Sequence, residues 1–344
     1  MGLRPLSTAG ASTLGIVVNP MSGRDVRRVA ARASTSAHHE KQQQVTRLVL
    51  AALENGVERV FLSQEPFRIS ERAIENLPER HRVTLLKFAL THTARDTETM
   101  IDLMWAEGVR HFIVLGGDGT SRIVARRYPD ATLMPLSTGT NNVFPMMIEA
   151  SLAGAAAGLV ASARVARDKV CIRCKRIHVS GTDAAGQRVH DIALIDAVSL
   201  LNDSLGSLLP FDAANLRTLI LSRGEPASVG LSPIGGYLNP CHHEDDFGLK
   251  VVCGEPAALS VRIPISPGLW QTVPIQSCEP IALNETVSLS GSGILAYDGD
   301  RTHDLSGLED CGLTVRRDGP WIIEPGAVLK FAASAGILQT NLTP

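Results

Sequence analysis

The stretch His111-Phe112-Ile113-Val114-Leu115-Gly116-Gly117-Asp118-Gly119-Thr120 decides the fold. His111–Leu115 reads as a buried strand that runs straight into small residues and one acid, with a helix start behind them. Glycine there permits positive φ and lets backbone N–H groups approach an anion with no Cβ in the way. The N-terminus of the following helix adds partial positive charge. An aspartate beside phosphates is costly unless it has a task, such as orienting a metal ion or accepting a proton from an attacking hydroxyl. A left-handed turn with a capping Asp118 is the structural alternative.

The same grammar extends to both sides. Upstream, Leu14–Asn19 is a short apolar run broken by Pro20, and Val45, Leu48, Val49, Ala52 and Leu53 recur on one helical face that Gly56 closes. Val57–Leu62 and Val83–Phe88 read as strands, and Thr97, Met100, Ile101, Met104 and Trp105 mark another helix, stopped by Gly108. Downstream, Thr132–Leu136 is a strand entering Ser137-Thr138-Gly139-Thr140-Asn141-Asn142. Such alternation predicts a parallel sheet covered on both faces, with ligands outside the carboxyl ends of its strands. Both glycine-bearing loops stand at such ends.

Beyond Lys169 the texture changes to short β-branched segments between Gly, Pro, Asp and Asn. Lys169–Ser180, Val189–Leu200, Leu216–Leu221 and Gly248–Val252 predict a mostly antiparallel β region. We therefore expect an α/β nucleotide-binding domain over 1–147, a connecting helix over 148–168, a β-rich substrate domain over 169–324, and a final segment, 325–344, that returns to the first domain as strand or short helix. Two domains suit a chain of 344 residues.

Three further loops are candidate sites. Asn19-Pro20-Met21-Ser22-Gly23 can hold a nucleotide through amide, hydroxyl and glycine, or be an ordinary turn. Ser137–Asn142 carries more small polar residues than a turn needs, which favours a second substrate-binding loop. Gly293–Tyr297 enters Asp298-Gly299-Asp300-Arg301, where Asp-Gly signals a hairpin and the two carboxylates can also bind Mg²⁺ or act as a base.

Composition narrows the partners. With 44% hydrophobic and 20% charged residues the chain is globular, and a net charge of −2 offers no global field for nucleic acid or anionic membrane. The clusters Arg24, Arg27, Arg28, Arg32 and Arg122, Arg126, Arg127 read as solvated helix faces, although both follow candidate phosphate loops. No apolar run approaches the ~20 residues of a membrane span, and Met1–Leu14 lacks the apolar core of a signal peptide, so a cytoplasmic protein is expected. The 6 cysteines then suggest no disulfide framework. Cys171-x-x-Cys174 with Cys241-His242-His243 is a poor zinc set, because a strand would point Cys171 and Cys174 to opposite faces. The oligomeric state stays open between monomer and homo-oligomer. A Gly-x-x-x-x-Gly-Lys-Ser/Thr loop is missing, which excludes a P-loop NTPase, and the lack of a Gly-x-Gly-x-x-Gly after the first strand argues against a dehydrogenase-type dinucleotide fold.

Together, Asn19-Pro20-Met21-Ser22-Gly23, the Gly-Gly-Asp-Gly-Thr loop, Thr138-Gly139-Thr140-Asn141-Asn142 and Asp298-Gly299-Asp300 resemble the ATP-NAD kinase and diacylglycerol kinase superfamily. Gly224–Gly236 and Ile265-Ser266-Pro267-Gly268-Leu269 are similar to its acetoin-catabolism protein X group. The resemblance implies a NAD kinase-like fold with the active site in the interdomain cleft, ATP and Mg²⁺ as cofactors, and a small-molecule acceptor, with NAD first and a lipid or polyol second. It implies that Asp118 serves catalysis with Asp298 and Asp300 as helpers, Asp300 being the candidate metal ligand. Asn19, Ser22, Gly23, Gly116, Gly117, Gly119, Thr120, Thr138, Gly139, Thr140, Asn141 and Asn142 would hold the nucleotide, and Asp196 and Ser228 the substrate. Relatives usually carry Asn-Asp where this chain has Asn141-Asn142, and NAD kinases an Asn-Glu pair where it has Ile195-Asp196. A non-catalytic nucleotide-binding or regulatory protein on the same fold is therefore the rival expectation.

Overall fold

The computed structural model describes residues 11–23, 37–138 and 142–339. Gly139, Thr140 and Asn141 of the candidate loop lie outside the described residues, as do Arg24, Arg27, Arg28 and Arg32. Five parallel strands, β1 (Thr13–Val18), β2 (Arg59–Ser63), β3 (Val83–Leu86), β4 (His111–Gly116) and β5 (Thr132–Ser137), run in the order β3-β2-β1-β4-β5. Apart from the edge strand β3, their residues are nearly all buried, as a sheet covered on both faces requires. The order reverses between β1 and β4, which pair directly from Gly15↔Phe112 to Val18↔Leu115. That reversal is the topological switch point, where the loops after two neighbouring strands diverge and leave a crevice. Here the two loops are Asn19–Gly23 and Gly117–Thr120.

Helix His38–Glu54 buries Val45, Leu48, Val49, Ala52 and Leu53, the predicted face. It packs on Ala150–Ala161 closely enough that a Cβ on Gly154 would lie 2.6 Å from the Leu48 carbonyl oxygen. The Ala/Gly-rich composition of that connecting helix is thus a condition for backbone contact.

The remainder forms two antiparallel sheets. One holds seven strands, ordered Leu259–Ser266, Leu269–Ala282, Phe247–Cys253, Leu216–Leu221, Asp196–Leu200, Ile294–Tyr297 and Asp300–Asp304; the other has four, with Arg176–Asp183 and Leu308–Arg316 at its centre. Two expected strands are interrupted. Val189–Leu200 breaks at Leu194-Ile195, because the N–H groups of Leu194, Ile195 and Asp196 turn to the Asp298 carboxylate. Lys169–Ser180 divides into a helical turn, Arg167–Val170, and the strands Cys171–Arg173 and Arg176–Asp183.

The boundaries at 169 and 325 need correction. Cys171–Arg173 and Trp321–Ile323 both join the parallel sheet, the latter beside β5, so the chain re-enters the first domain before Pro325. Pro325–Ser334 is a helix, with Glu324 accepting at its N-terminus. No helix among the described residues is long and apolar enough to cross a membrane. All six cysteines are free, and no group of His, Cys, Asp and Glu among the described residues suits a metal cage. Cys241 instead accepts from the buried Lys175 at 3.4 Å.

Candidate active site

A cleft of about 680 Å³ opens at the switch point, between the β1 and β4 loops on one side and the second domain on the other. Asn19 builds the first wall. Its side-chain oxygen accepts from Met21 and Ser22 N–H, and its Nδ2 donates to Thr120 Oγ1 at 2.8 Å. One side chain therefore shapes its own loop and ties it to the Gly-Asp-Gly-Thr loop. Ser22 and Thr138 hydroxyls stand 2.7 Å apart, joining the β5 loop to the same wall. Behind it is a residue that sequence reading missed. Lys41, fully buried, donates to the carbonyl oxygens of Asn19, Pro20 and Ser22 at 2.5–2.9 Å. Its polar surroundings in His38–Gln44 look like a solvated helix end, so no local signal marks it.

The glycine loop works differently from the expectation. Gly117 has φ −105°, and neither Gly116 nor Gly119 adopts positive φ. Each glycine answers a spatial need instead. A Cβ on Gly116 would lie 2.7 Å from Thr120, so Gly116 serves packing and does not line the cleft. A Cβ on Gly117 would lie 2.9 Å from Asn142 Oδ1. Gly119 faces open cleft: a Cβ there would stand 3.9 Å from Asp300 Oδ2. It is the point where a ligand can meet the helix N-terminus most closely. Gly23, at φ 77°, is a left-handed turn position.

Asp118 opens the helix Asp118–Arg127 and faces the cleft. Its carboxylate accepts from Phe144 N–H at 2.9 Å and Val143 N–H at 3.3 Å, which fixes its orientation. Burial, followed by the Asp298 charge, pushes its carboxyl up to about 7. Such a group can take up a proton near neutrality. Asn142 borders the cleft and donates to Ser137 Oγ at 2.9 Å, bracing the loop against Gly117.

From the second domain, Ile294–Tyr297 and Asp300–Asp304 pair as the expected hairpin, with Asp298 (φ 49°) and Gly299 (φ 87°) at its tip. The tip also lines the cleft. Asp298 was expected as a catalytic helper, but its oxygens accept from Leu194, Ile195 and Asp196 N–H, so it fastens a strand end. Burial raises its carboxyl while Arg122 pulls it down. Asp196 is 7% exposed, and its Oδ1 has no hydrogen-bond partner. Burial first, then Asp298 and Asp118, push its carboxyl well above the usual range. Ser228 does not line the cleft; its hydroxyl donates to the Glu225 carbonyl, and the same loop supplies Val229, Gly230 and Leu231 instead.

The basic clusters divide too. Arg126 and Arg127 form exposed pairs with Glu98 and Asp102, as a solvated face would. Arg122 does not: its side chain is 15% exposed and reaches Asp300 across the cleft.

Residues 14–163 match the model of the ATP-NAD kinase N-terminal domain, and residues 175–318 that of the Acetoin catabolism protein X C-terminal domain. Over 97% of its length the chain is 33% identical to Acetoin catabolism protein X of Cupriavidus necator strain H16, covering 96% of that protein. The chain belongs to the Acetoin catabolism protein X family. Its fold is that of the NAD kinases: the structure of yeast NADH kinase complexed with NADH superposes with a TM-score of 0.51 at 13% identity, over 97% of this chain and 90% of that one. In this Acetoin catabolism protein X relative, the position aligned by sequence reading with the NAD kinase asparagine, Ile195, is fully buried in an apolar cluster with Phe144 and Leu194. Only the neighbouring Asp196 reaches the cleft.

Proposed function

We propose that this protein is a Mg²⁺-assisted kinase that moves the γ-phosphoryl group of ATP to the hydroxyl of a small molecule. The observation that carries the reading is Asp118, a carboxylate poised near neutral pH beside Gly119 at a helix N-terminus that opens into the cleft. Phosphoryl transfer needs mainly positioning, charge stabilisation and one proton acceptor. The Asn19–Gly23 wall and the helix N-terminus would receive the nucleotide.

The acidic lining fits a divalent cation. Glu65, Asp96, Asp118, Asp196, Asp298 and Asp300 border the described cleft beside a single arginine, Arg301, so a polyphosphate needs its charge neutralised on entry. Asp300, at the mouth, would hold Mg²⁺ together with nucleotide oxygens, the few-carboxylate mode common for this ion. When bound, Mg²⁺ offsets charge developing on the transferred group. Asp118 receives the acceptor's proton, and Phe144 and Val143 N–H groups keep it aimed.

Phosphate transfer from labelled ATP by purified protein, across NAD, glycerides, diols and short hydroxyketones, tests the reading. Hydroxyketones join the panel because the Cupriavidus relative is named for acetoin catabolism. No labelled product from any acceptor would overturn it. Asn142 favours a second reading, nucleotide binding without transfer: an amide tied to Ser137 stands where NAD kinases carry an acid. Tight ATP binding with no product would select that alternative.

A further inference from the structure

Resting on the kinase reading, we propose that the acceptor is a neutral alcohol with a compact apolar body, seated on Phe211, Leu231 and Ile265 with its hydroxyl at Asp196.

Three observations converge on this wall. First, Phe211, Leu231 and Ile265 belong to the core cluster of the seven-stranded antiparallel sheet, yet the same residues line the cleft. They keep only 9%, 2% and 3% of their surface exposed, so the core reaches the site as a narrow apolar seam. Leu209, 61% exposed, extends it to the rim. An apolar wall facing a cleft gains by covering with carbon, not with a charged or sugar-like ligand.

Second, the wall has no cation to offer an anionic acceptor. Arg301, the one guanidinium or ammonium lining the described cleft, is already engaged: it lies 4.1 Å over the Phe211 ring, pairs with Asp203 at 3.2 Å and donates to the Ser207 carbonyl. Its side chain is 2% exposed. Across from it, Arg122 is held by Asp298 and Asp300, so no guanidinium or ammonium among the described lining residues is placed to receive a phosphate, carboxylate or dinucleotide acceptor.

Third, Asp196 Oδ1 is buried and unpartnered. Burial favours the protonated form of Asp196, which donates to the acceptor oxygen and leaves that oxygen's own proton for Asp118. The cleft of about 680 Å³ must also hold the nucleotide, which limits the acceptor to a compact molecule. In the reaction, the acceptor oxygen attacks the γ-phosphorus and its proton passes to Asp118. The bond from that phosphorus to the β–γ bridging oxygen breaks, and ADP leaves with the bond's electron pair.

The test is calorimetric titration of the whole protein. A non-hydrolysable ATP analogue with Mg²⁺ is titrated first, then 1,2-hexanediol, its 1-phosphate, glycerol and NAD into the loaded protein. Hexanediol is expected to bind at least tenfold more tightly than each of the others. Leu209→Lys, at an exposed position, should improve binding of the 1-phosphate at least tenfold. NAD or the 1-phosphate binding as tightly as the diol overturns the proposal, as does an unchanged 1-phosphate affinity in the variant. Nucleotide binding without any diol binding overturns this inference alone; failure to bind the nucleotide sinks the kinase reading beneath it.

Discussion

Arg122, from the helix that begins at Asp118, donates to Asp300 at 2.8 Å and to the Tyr297 carbonyl at 2.9 Å, so one side chain joins both sides of the cleft. Its guanidinium also lies 5.0 Å over the Tyr297 ring and 4.0 Å from Asp298. The distance between Asp118 and the Asp298–Asp300 hairpin is set through this arginine.

Arg122→Lys keeps the charge but loses the planar fork that serves Asp300 and the carbonyl together. We expect a stability loss of about 1–3 kcal/mol, the scale of a buried group left unsatisfied. Turnover should fall roughly ten- to a hundredfold, because small displacements of reacting groups are costly. Denaturant titration and steady-state kinetics check both; a variant with wild-type turnover would free the hairpin from this role.

Asp118→Asn should lower phosphate transfer by at least about a hundredfold, the scale of general-base loss, with nucleotide affinity retained. For the wild type, kcat/KM should rise with pH around a midpoint of about 7, since only the ionised carboxylate accepts a proton. Stability has the opposite slope. A carboxyl whose folded-state pKa is raised holds its proton in the native state after the unfolded chain has lost it, so native stability falls as pH climbs from the ordinary carboxylate range to about 7. Asp118→Asn removes that loss, and its stability relative to wild type should grow from pH 5 to pH 8. Parallel stability curves for the two proteins would remove the raised pKa from the account.

How far the sequence alone reached depends on the range of the interactions. The strand His111–Gly116 and the buried face of His38–Glu54 follow from local periodicity, and both were legible. The crevice was legible only in outline, because the β3-β2-β1-β4-β5 order rests on pairings between segments about a hundred residues apart. Lys41 and the anchoring contacts of Asp298 were missed for the same reason: each is defined by backbone groups of a distant loop, not by its neighbours. The glycine loop was found for a reason only half correct. Small residues were required there, but by Thr120, Asn142 and the open cleft rather than by positive φ.

Gly117 and Gly119 should separate in experiment. Gly117→Ala places a methyl 2.9 Å from Asn142 Oδ1 and should loosen the loop and lower stability. Gly119→Ala meets open space inside a helix, where alanine is favoured by about 1 kcal/mol. That variant should melt higher yet bind ATP at least tenfold more weakly, because the methyl stands where the nucleotide approaches. Equal ATP affinity in a well-folded Gly119→Ala protein would mean that phosphates do not approach this helix end.

Ile195 tests how far the NAD kinase alignment carries. If the position worked as the matching asparagine does in NAD kinases, Ile195→Asn with Asp196→Glu would create NAD affinity. The packing argues the reverse. Ile195 is fully buried beside Phe144 and Leu194, and its N–H already donates to Asp298 at 2.9 Å. An amide placed there enters an apolar cluster with no designed partner, at a cost of roughly 1–3 kcal/mol. We therefore expect Ile195→Asn to lower the melting temperature and leave NAD binding at the weak wild-type level. Asp196→Asn, by contrast, alters a group that reaches the cleft and should change acceptor binding with little loss of stability. Titration of NAD and of accepted alcohols into the three proteins, with ATP affinity as the folding control, distinguishes the positions. A gain of NAD affinity in Ile195→Asn would show that this side chain faces the ligand and that the apolar cluster is not its native surroundings.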